Sequence, residues 1–200
     1  GELARAHVTM MLERLAGLRR LVLFDVRQER ASALADRLAP RACSRGVELI
    51  LARDAEEAVR SAELVVAVTT TTAGYIPMEW LRTGTLLVLV SLDDALPELL
   101  LRADGLYVDD WELVRADSRR LLGRMAGRGE IAGPEDPIDA GGRRVDGTLG
   151  DVLLGSAPGR RAPEEVIVVN PFGLAIEDVA VAAAVHGVAT REHLGMLIPR

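Results

Sequence analysis

The feature that most constrains this chain is a pair of uninterrupted apolar runs, LVVAV at 64–68 and TLLVLV at 85–90, set among segments of helical period. A strand that is apolar at every residue has no solvated face, so both faces must be covered, and helices crossing over a parallel sheet do this. Shorter runs, LVLFD at 21–25, VELIL at 47–51, GLYV at 105–108 and EVIVVN at 165–170, repeat the theme. Between them lie helical periods. The opening segment puts Leu3, Ala6, His7, Met10 and Met11 on one face, and 28–39 repeats Ala31, Leu34, Ala35 and Leu38 before Pro40 stops it. An acidic helix follows at 54–60. The expected fold is α/β, a Rossmann-type doubly wound parallel sheet.

Past Asp110 the rhythm changes. WELVRADSRRLLGRM at 111–125 predicts one basic amphipathic helix, and 126–144 a loop rich in Gly, Pro and Asp. TLGDVLLG at 148–155 predicts a short helix. The last helix, 174–185, is apolar almost all round and is expected to be buried between layers or at a subunit interface, with Gly187 as its cap.

Composition excludes several classes. With 24 basic and 30 acidic residues the net charge is −6, the wrong sign for a nucleic-acid footprint. No apolar run approaches the ~18 residues of a membrane span. The single cysteine, Cys43, rules out a disulfide framework or a thiolate zinc site and is expected to be a buried small hydrophobe. His186 and His193 have no carboxylate or cysteine at metal spacing, and His7 is expected to be a core or turn partner, so no metal site is expected. No signal-peptide pattern opens the chain, so the cytoplasm is the expected compartment.

The residues that carry chemistry fall at strand ends. A dinucleotide site needs glycines in a strand-to-helix turn, a helix N-terminus for the pyrophosphate and an acid about 20 residues on for the ribose. GELARAH puts Gly1 directly before a helix, Ala4 takes the third glycine position, and Asp25 ends the next run, while the first strand and the preceding glycine are not in the chain. A carboxylate at Asp25 accepts from both ribose hydroxyls and repels a 2′-phosphate, which favours NAD over NADP; Arg27 and Arg30 soften that preference. The alternative is that Asp25 caps the next helix. The two apolar runs deliver TTTT at 69–72 and SLDD at 91–94 to the ligand edge. The threonine hydroxyls suit ribose, phosphate or nicotinamide, or else satisfy turn backbone. Candidate cofactor contacts are therefore Gly1, Glu2, Leu3, Asp25, Arg27, Thr69, Thr70, Thr71, Ser91 and Leu92. Asp93 and Asp94 are the candidate catalytic pair: one is suited to assist water attack on an imine, and either could instead cap the helix ALPELLLRA.

GELARAH, LVLFD, VTTTTAGYIPMEWLRTGTLLVLVS and NPFGLAIEDVAVAAAV, in that order, resemble the ornithine cyclodeaminase/μ-crystallin family over nearly the whole chain. SLDDALPELLL, YVDDWELVRADS and GTLGDVLLG look most like its siderophore-type branch, whose members form L-2,3-diaminopropionate and 2-oxoglutarate with NAD. The resemblance implies an amino-acid substrate, a homodimer, and a preceding segment of well over one hundred residues that supplies substrate-carboxylate contacts and the dimer sheet. It implies a cofactor domain over 1–165 and a closing strand and helix, 166–200, that return to the cofactor and to that preceding part. The family's catalytic aspartate falls on Asp93 or Asp94, and the branch pattern points to Asp94, with an arginine where this chain has Asp93. A histidine and a Thr-Ser-x-His run of the branch are replaced around Glu112 and by DSRRLL at 117–122. An ornithine or lysine cyclodeaminase, an alanine dehydrogenase, a cyclic ketimine reductase and a non-catalytic μ-crystallin-like binding protein share the resemblance.

Overall fold

The computed structural model describes residues 1–91, 93–136, 142–196 and 198. Helix α1 (Glu2–Arg14) leads to strand β1 (Arg20–Leu23), α2 (Gln28–Ser44), β2 (Glu48–Leu51), α3 (Ala55–Arg60) and β3 (Leu64–Ala67). After a 3-10 turn at Met78–Trp80 come β4 (Leu86–Leu89), α4 (Pro97–Arg102), β5 (Gly105–Val108), α5 (Trp111–Ala116) and α6 (Leu121–Gly127). Two-residue strands β6 (Ile131–Ala132), β7 (Arg143–Arg144) and β8 (Gly147–Thr148) precede α7 (Leu149–Leu154), β9 (Ile167–Asn170) and α8 (Ala175–Arg191).

All strand pairs are parallel, as the continuous apolar runs require. β1 and β2 form one small sheet, and a five-stranded sheet has the order β3-β4-β9-β5-β8. The closing strand β9 therefore lies between β4 and β5, in the same sheet as the expected cofactor domain. The boundary expected at 165/166 falls just before β9, which this sheet includes, and α8 buries no residue. Leu87, Leu106, Val108 and Val168 are wholly buried and pack with Leu99, Leu122 and Met125 from the covering helices. Val8, Leu12, Leu21, Leu38, Ala42 and Val47 form a second cluster around β1 and β2.

Several local expectations are corrected. α1 buries Val8 and Leu12, while Leu3 and Met10 are exposed, because a weakly amphipathic helix turns whichever face its neighbours cover. α2 runs through Pro40 to Ser44. The missing N–H costs about 3 kcal/mol in a helix interior; burial of Leu38 and Ala42 on either side of Pro40 offsets it, and Arg45 anchors the end by donating to the carbonyls of Leu12 and Glu13 (2.8 and 2.9 Å). Cys43 is exposed on this helix, not a core residue. The expected loop at 126–144 contains the short β6–β7 pairing, and its residues 137–141 lie outside the described set. α8 passes through Gly187, which is helical and caps nothing. It carries no buried residue, with Ile176 at 72% and Val185 at 61% exposure, so it is not buried between layers of the described residues.

The helix expected at 111–125 is two helices. Asp117 leaves the helical region (φ −101°, ψ 85°) and accepts from the Arg119 N–H (3.1 Å) and guanidinium (2.8 and 2.9 Å). Those bonds hold its carboxyl down at about 2 and close a turn that breaks the helical ladder. α6 then doubles back so closely that a Cβ on Gly123 would collide with the carbonyl oxygens of Val114 and Asp117. Gly123→Ala is expected to destabilise the protein by about 2 kcal/mol, the range for overpacking a tight contact. A shift in denaturant midpoint at unchanged m-value reads this.

Candidate functional site

Ligands of open parallel sheets bind beyond the carboxyl ends of the strands. Here β3 ends in VTTTTAG, β4 in SLDD, β5 in Asp109–Asp110 and β9 in the PFG turn. Backbone bonds staple the first two together: the N–H groups of Tyr75 and Ile76 both donate to the Asp94 carbonyl (2.9 Å each), and Leu96 N–H donates to Ile76 O. Gly74 permits this approach, since a Cβ there would stand 2.5 Å from the Ala95 carbonyl oxygen.

The two aspartates have different surroundings. Asp94 is 1% exposed. Its Oδ1 accepts from the Thr69 hydroxyl at 2.7 Å, and Oδ2 is bonded by the Ser91 hydroxyl, which also lies 3.1 Å from the Ala67 carbonyl oxygen. The Tyr75 phenol faces the same carboxylate; burial, reinforced by the charge and hydrogen bonding of Asp94, pushes its pKa well up, so it keeps its proton. Asp93 turns the other way. Its Oδ1 accepts from the Leu121 N–H at 2.5 Å, in the first turn of α6, and Oδ2 pairs with the Arg124 guanidinium at 2.8 Å. Neither aspartate caps the helix that follows them, whose cap is Leu96.

Among the threonines, Thr69 and Thr70 are exposed. The Thr71 hydroxyl is committed to its own turn, accepting from Ala73 N–H (3.1 Å) and donating to Ala73 O (2.9 Å). Ser91 is buried, and Leu92 lies outside the described residues. Gly1 is the N-cap of α1 without a side-chain cap bond, and the space a Cβ there would enter is open. The first-turn amides of Glu2 and Leu3 thus have no intrahelical partner. The Glu2 carboxylate is turned onto Arg5, whose guanidinium holds it below the usual range. Asp25 stands two residues beyond β1, half-buried, with Oδ1 accepting from the N–H of Arg27, the N-cap of α2. One oxygen thus orders the entry to α2, whose cap is Arg27 and not Asp25, and the residue keeps the strand-end position.

Four residues at this edge escaped the sequence reading. Asp109 accepts from the N–H groups of Phe172 and Gly173 (2.7 and 2.5 Å), tying the turn after β9 to β5. Buried Asn170 donates to Leu89 O at 2.8 Å, and Arg124 and Tyr75 serve the aspartates as described. An acid at a strand end was a usable signal for Asp109, as it was for Asp25. For Tyr75 and Arg124 there was none. Among the described residues no group of three or more His, Cys, Asp and Glu side chains could hold a metal ion, and no helix is long and apolar enough to cross a membrane.

The chain belongs to the ornithine cyclodeaminase/mu-crystallin family, whose model matches residues 1–193. It is 28% identical to the N-((2S)-2-amino-2-carboxyethyl)-L-glutamate dehydrogenase of Staphylococcus aureus, a match covering 92% of this chain and 52% of that protein. The crystal structure of CmnK superposes with a TM-score of 0.84 at 35% identity, covering 100% of this chain and 55% of that one. An archaeal alanine dehydrogenase dimer with bound NAD gives a TM-score of 0.75 at 27% identity, covering 97% and 57%. The chain spans about half the length of the curated relatives it matches.

Proposed function

We propose that the protein is an NAD-dependent oxidoreductase that oxidises the Cα–N bond of an N-substituted amino acid and hydrolyses the resulting imine. Its substrate on this reading is N-((2S)-2-amino-2-carboxyethyl)-L-glutamate, giving L-2,3-diaminopropionate and 2-oxoglutarate for siderophore or other secondary-metabolite synthesis. The observation that carries the reading is the buried Asp94 carboxylate at the end of β4, held by hydroxyls from β3 and β4. The family relatives named above support the cofactor and the substrate class. The residues present fit the cofactor: an uncapped helix start at Gly1, Glu2 and Leu3 suits a pyrophosphate, and Asp25 at the end of β1 suits ribose hydroxyls, with Arg27 beside it. Thr70, Thr71, Ser91 and Leu92 are assigned to the nicotinamide side. When bound, oxidised NAD takes a hydride, two electrons and one proton, from the substrate Cα. The chain's own part is to orient that carbon, exclude bulk water, and take a proton from the one water that adds to the imine. Substrate, NAD and water thus become diaminopropionate, 2-oxoglutarate, NADH and a proton. We assign the catalytic role to Asp94 and a positioning role to Asp93. The protein is proposed to act as a cytoplasmic homodimer, with α8 covered by the substrate half or by the partner.

The test is NADH formation by the full-length protein with this substrate and, separately, with L-alanine. NADH and 2-oxoglutarate from the first substrate support the assignment. NADH from L-alanine alone moves it to an alanine dehydrogenase, a reading supported by the solved relative of that name. Tight NAD binding without turnover of either makes it a binding protein. Cofactor choice has its own test: Asp25→Ser is expected to weaken NAD about tenfold, the loss of about 1.4 kcal/mol of hydrogen bonding to ribose. NADP should bind better once the repelling carboxylate is gone. Fluorescence titration of both cofactors reads the two changes.

A further inference from the structure

Asp94 is 1% exposed, and both of its oxygens are already bonded by hydroxyls. A carboxylate so enclosed does not itself touch a water arriving from the cleft. Of the three hydroxyls that face it, Ser91 is buried with it beside the Ala67 carbonyl and the Tyr75 phenol is half-buried, whereas Thr69 is exposed at the strand-end edge. A hydroxyl has one proton and two lone pairs. The Thr69 proton is given to Asp94 at 2.7 Å, and one lone pair takes the Thr71 N–H at 3.1 Å, which fixes the orientation of Oγ1. One lone pair is left, and of the three residues Thr69 alone is exposed.

We propose that Thr69 is a proton relay between the hydrolytic water and Asp94, an inference that rests on the imine-hydrolysing reading above. As the water oxygen bonds to the imine carbon, one water proton passes to Thr69 Oγ1 and the Thr69 proton passes to Asp94 Oδ1. Hydride loss leaves the imine protonated, so its nitrogen takes up the electron pair of the C=N bond and the product is a neutral carbinolamine. On collapse the carbinol hydroxyl releases its proton to solvent as the C=O bond forms, the C–N bond breaks, and the proton stored on Asp94 returns through Thr69 to the departing amine. No oxidant or reductant enters these steps. Thr69 is thereby separated from Thr70 and Thr71: it is a catalytic hydroxyl and not a cofactor contact.

The test exploits the order of events, because hydride transfer precedes water addition. In full-length Thr69→Val with N-((2S)-2-amino-2-carboxyethyl)-L-glutamate, a rapid burst of about one NADH per site should persist. The steady-state rate should fall about 100-fold, the size of a lost general-base contribution. Thr69→Ser, which restores the hydroxyl, should recover the rate to within a few-fold. NAD affinity by fluorescence titration should stay unchanged in both, and the solvent isotope effect on the steady-state rate should change in Thr69→Val. The inference is overturned if Thr69→Val keeps its steady-state rate, or if burst and steady state fall together with NAD affinity, which marks a cofactor contact. It is also overturned if Tyr75→Phe loses as much steady-state rate as Thr69→Val, which moves the relay to the phenol. A wild-type protein that forms no NADH from this substrate or L-alanine removes the parent reading instead, an outcome no variant is needed to recognise.

Discussion

Asp94→Asn is expected to lower steady-state turnover by between about 100-fold and 10,000-fold while leaving NAD binding within a factor of two or so. The range is that of a positioned general base. The substitution keeps the volume of the side chain and the acceptor for Ser91, but it removes the site that receives the proton from Thr69. Because hydride transfer does not use that site, the NADH burst should survive, and Asp94→Asn should resemble Thr69→Val in shape. Combining the two should cost little more than either alone, since residues acting as one unit are not additive. Comparable turnover by Asp94→Asn and the unaltered protein would remove Asp94 from the chemistry.

Asp93→Ala is expected to act on stability, by about 3 kcal/mol. Asp93 is 4% exposed, and its removal leaves the Leu121 N–H without its 2.5 Å partner and strips Arg124 of its counter-charge. Orphaning a buried donor costs about 1–3 kcal/mol, and breaking a buried ion pair from one side costs more. The Arg124 side chain is 37% exposed and can regain water, which keeps the sum near the lower end. Thermal unfolding reads the loss, and the fraction still folded at assay temperature should retain most of its turnover per site. A variant as stable as the parent but devoid of activity would exchange the roles assigned to the two aspartates.

These adjacent carboxylates show where sequence reading stops. Their placement at the ligand edge was legible, because SLDD follows the plainest buried strand and a parallel sheet offers its ligands that end of each strand. Their roles were not, because the partners that distinguish them come from Thr69, Leu121 and Arg124, far along the chain. The helix expected at 111–125 failed for a related reason. Its periodicity is helical throughout, but Asp117 closes a local Asx turn on the Arg119 amide that competes with the helix, while Asp93, distant in sequence, claims the Leu121 amide. Thr71 carries the opposite lesson: its hydroxyl bonds within its own turn, as a threonine-rich turn allows, whereas that of Thr69 reaches across to Asp94.

By itself the sequence determined the class of fold, the identity of strands β1 to β5 and β9, and the turns that meet at the carboxyl edge. Apolar runs without a polar face admit few environments, so period and burial are written locally. The tertiary structure decided that β9 enters the sheet between β4 and β5, which face of α1 is buried, and which aspartate is enclosed by hydroxyls and which by a helix start and an arginine. Those outcomes depend on bonds between residues distant in sequence, where several pairings satisfy the same local pattern and packing selects one.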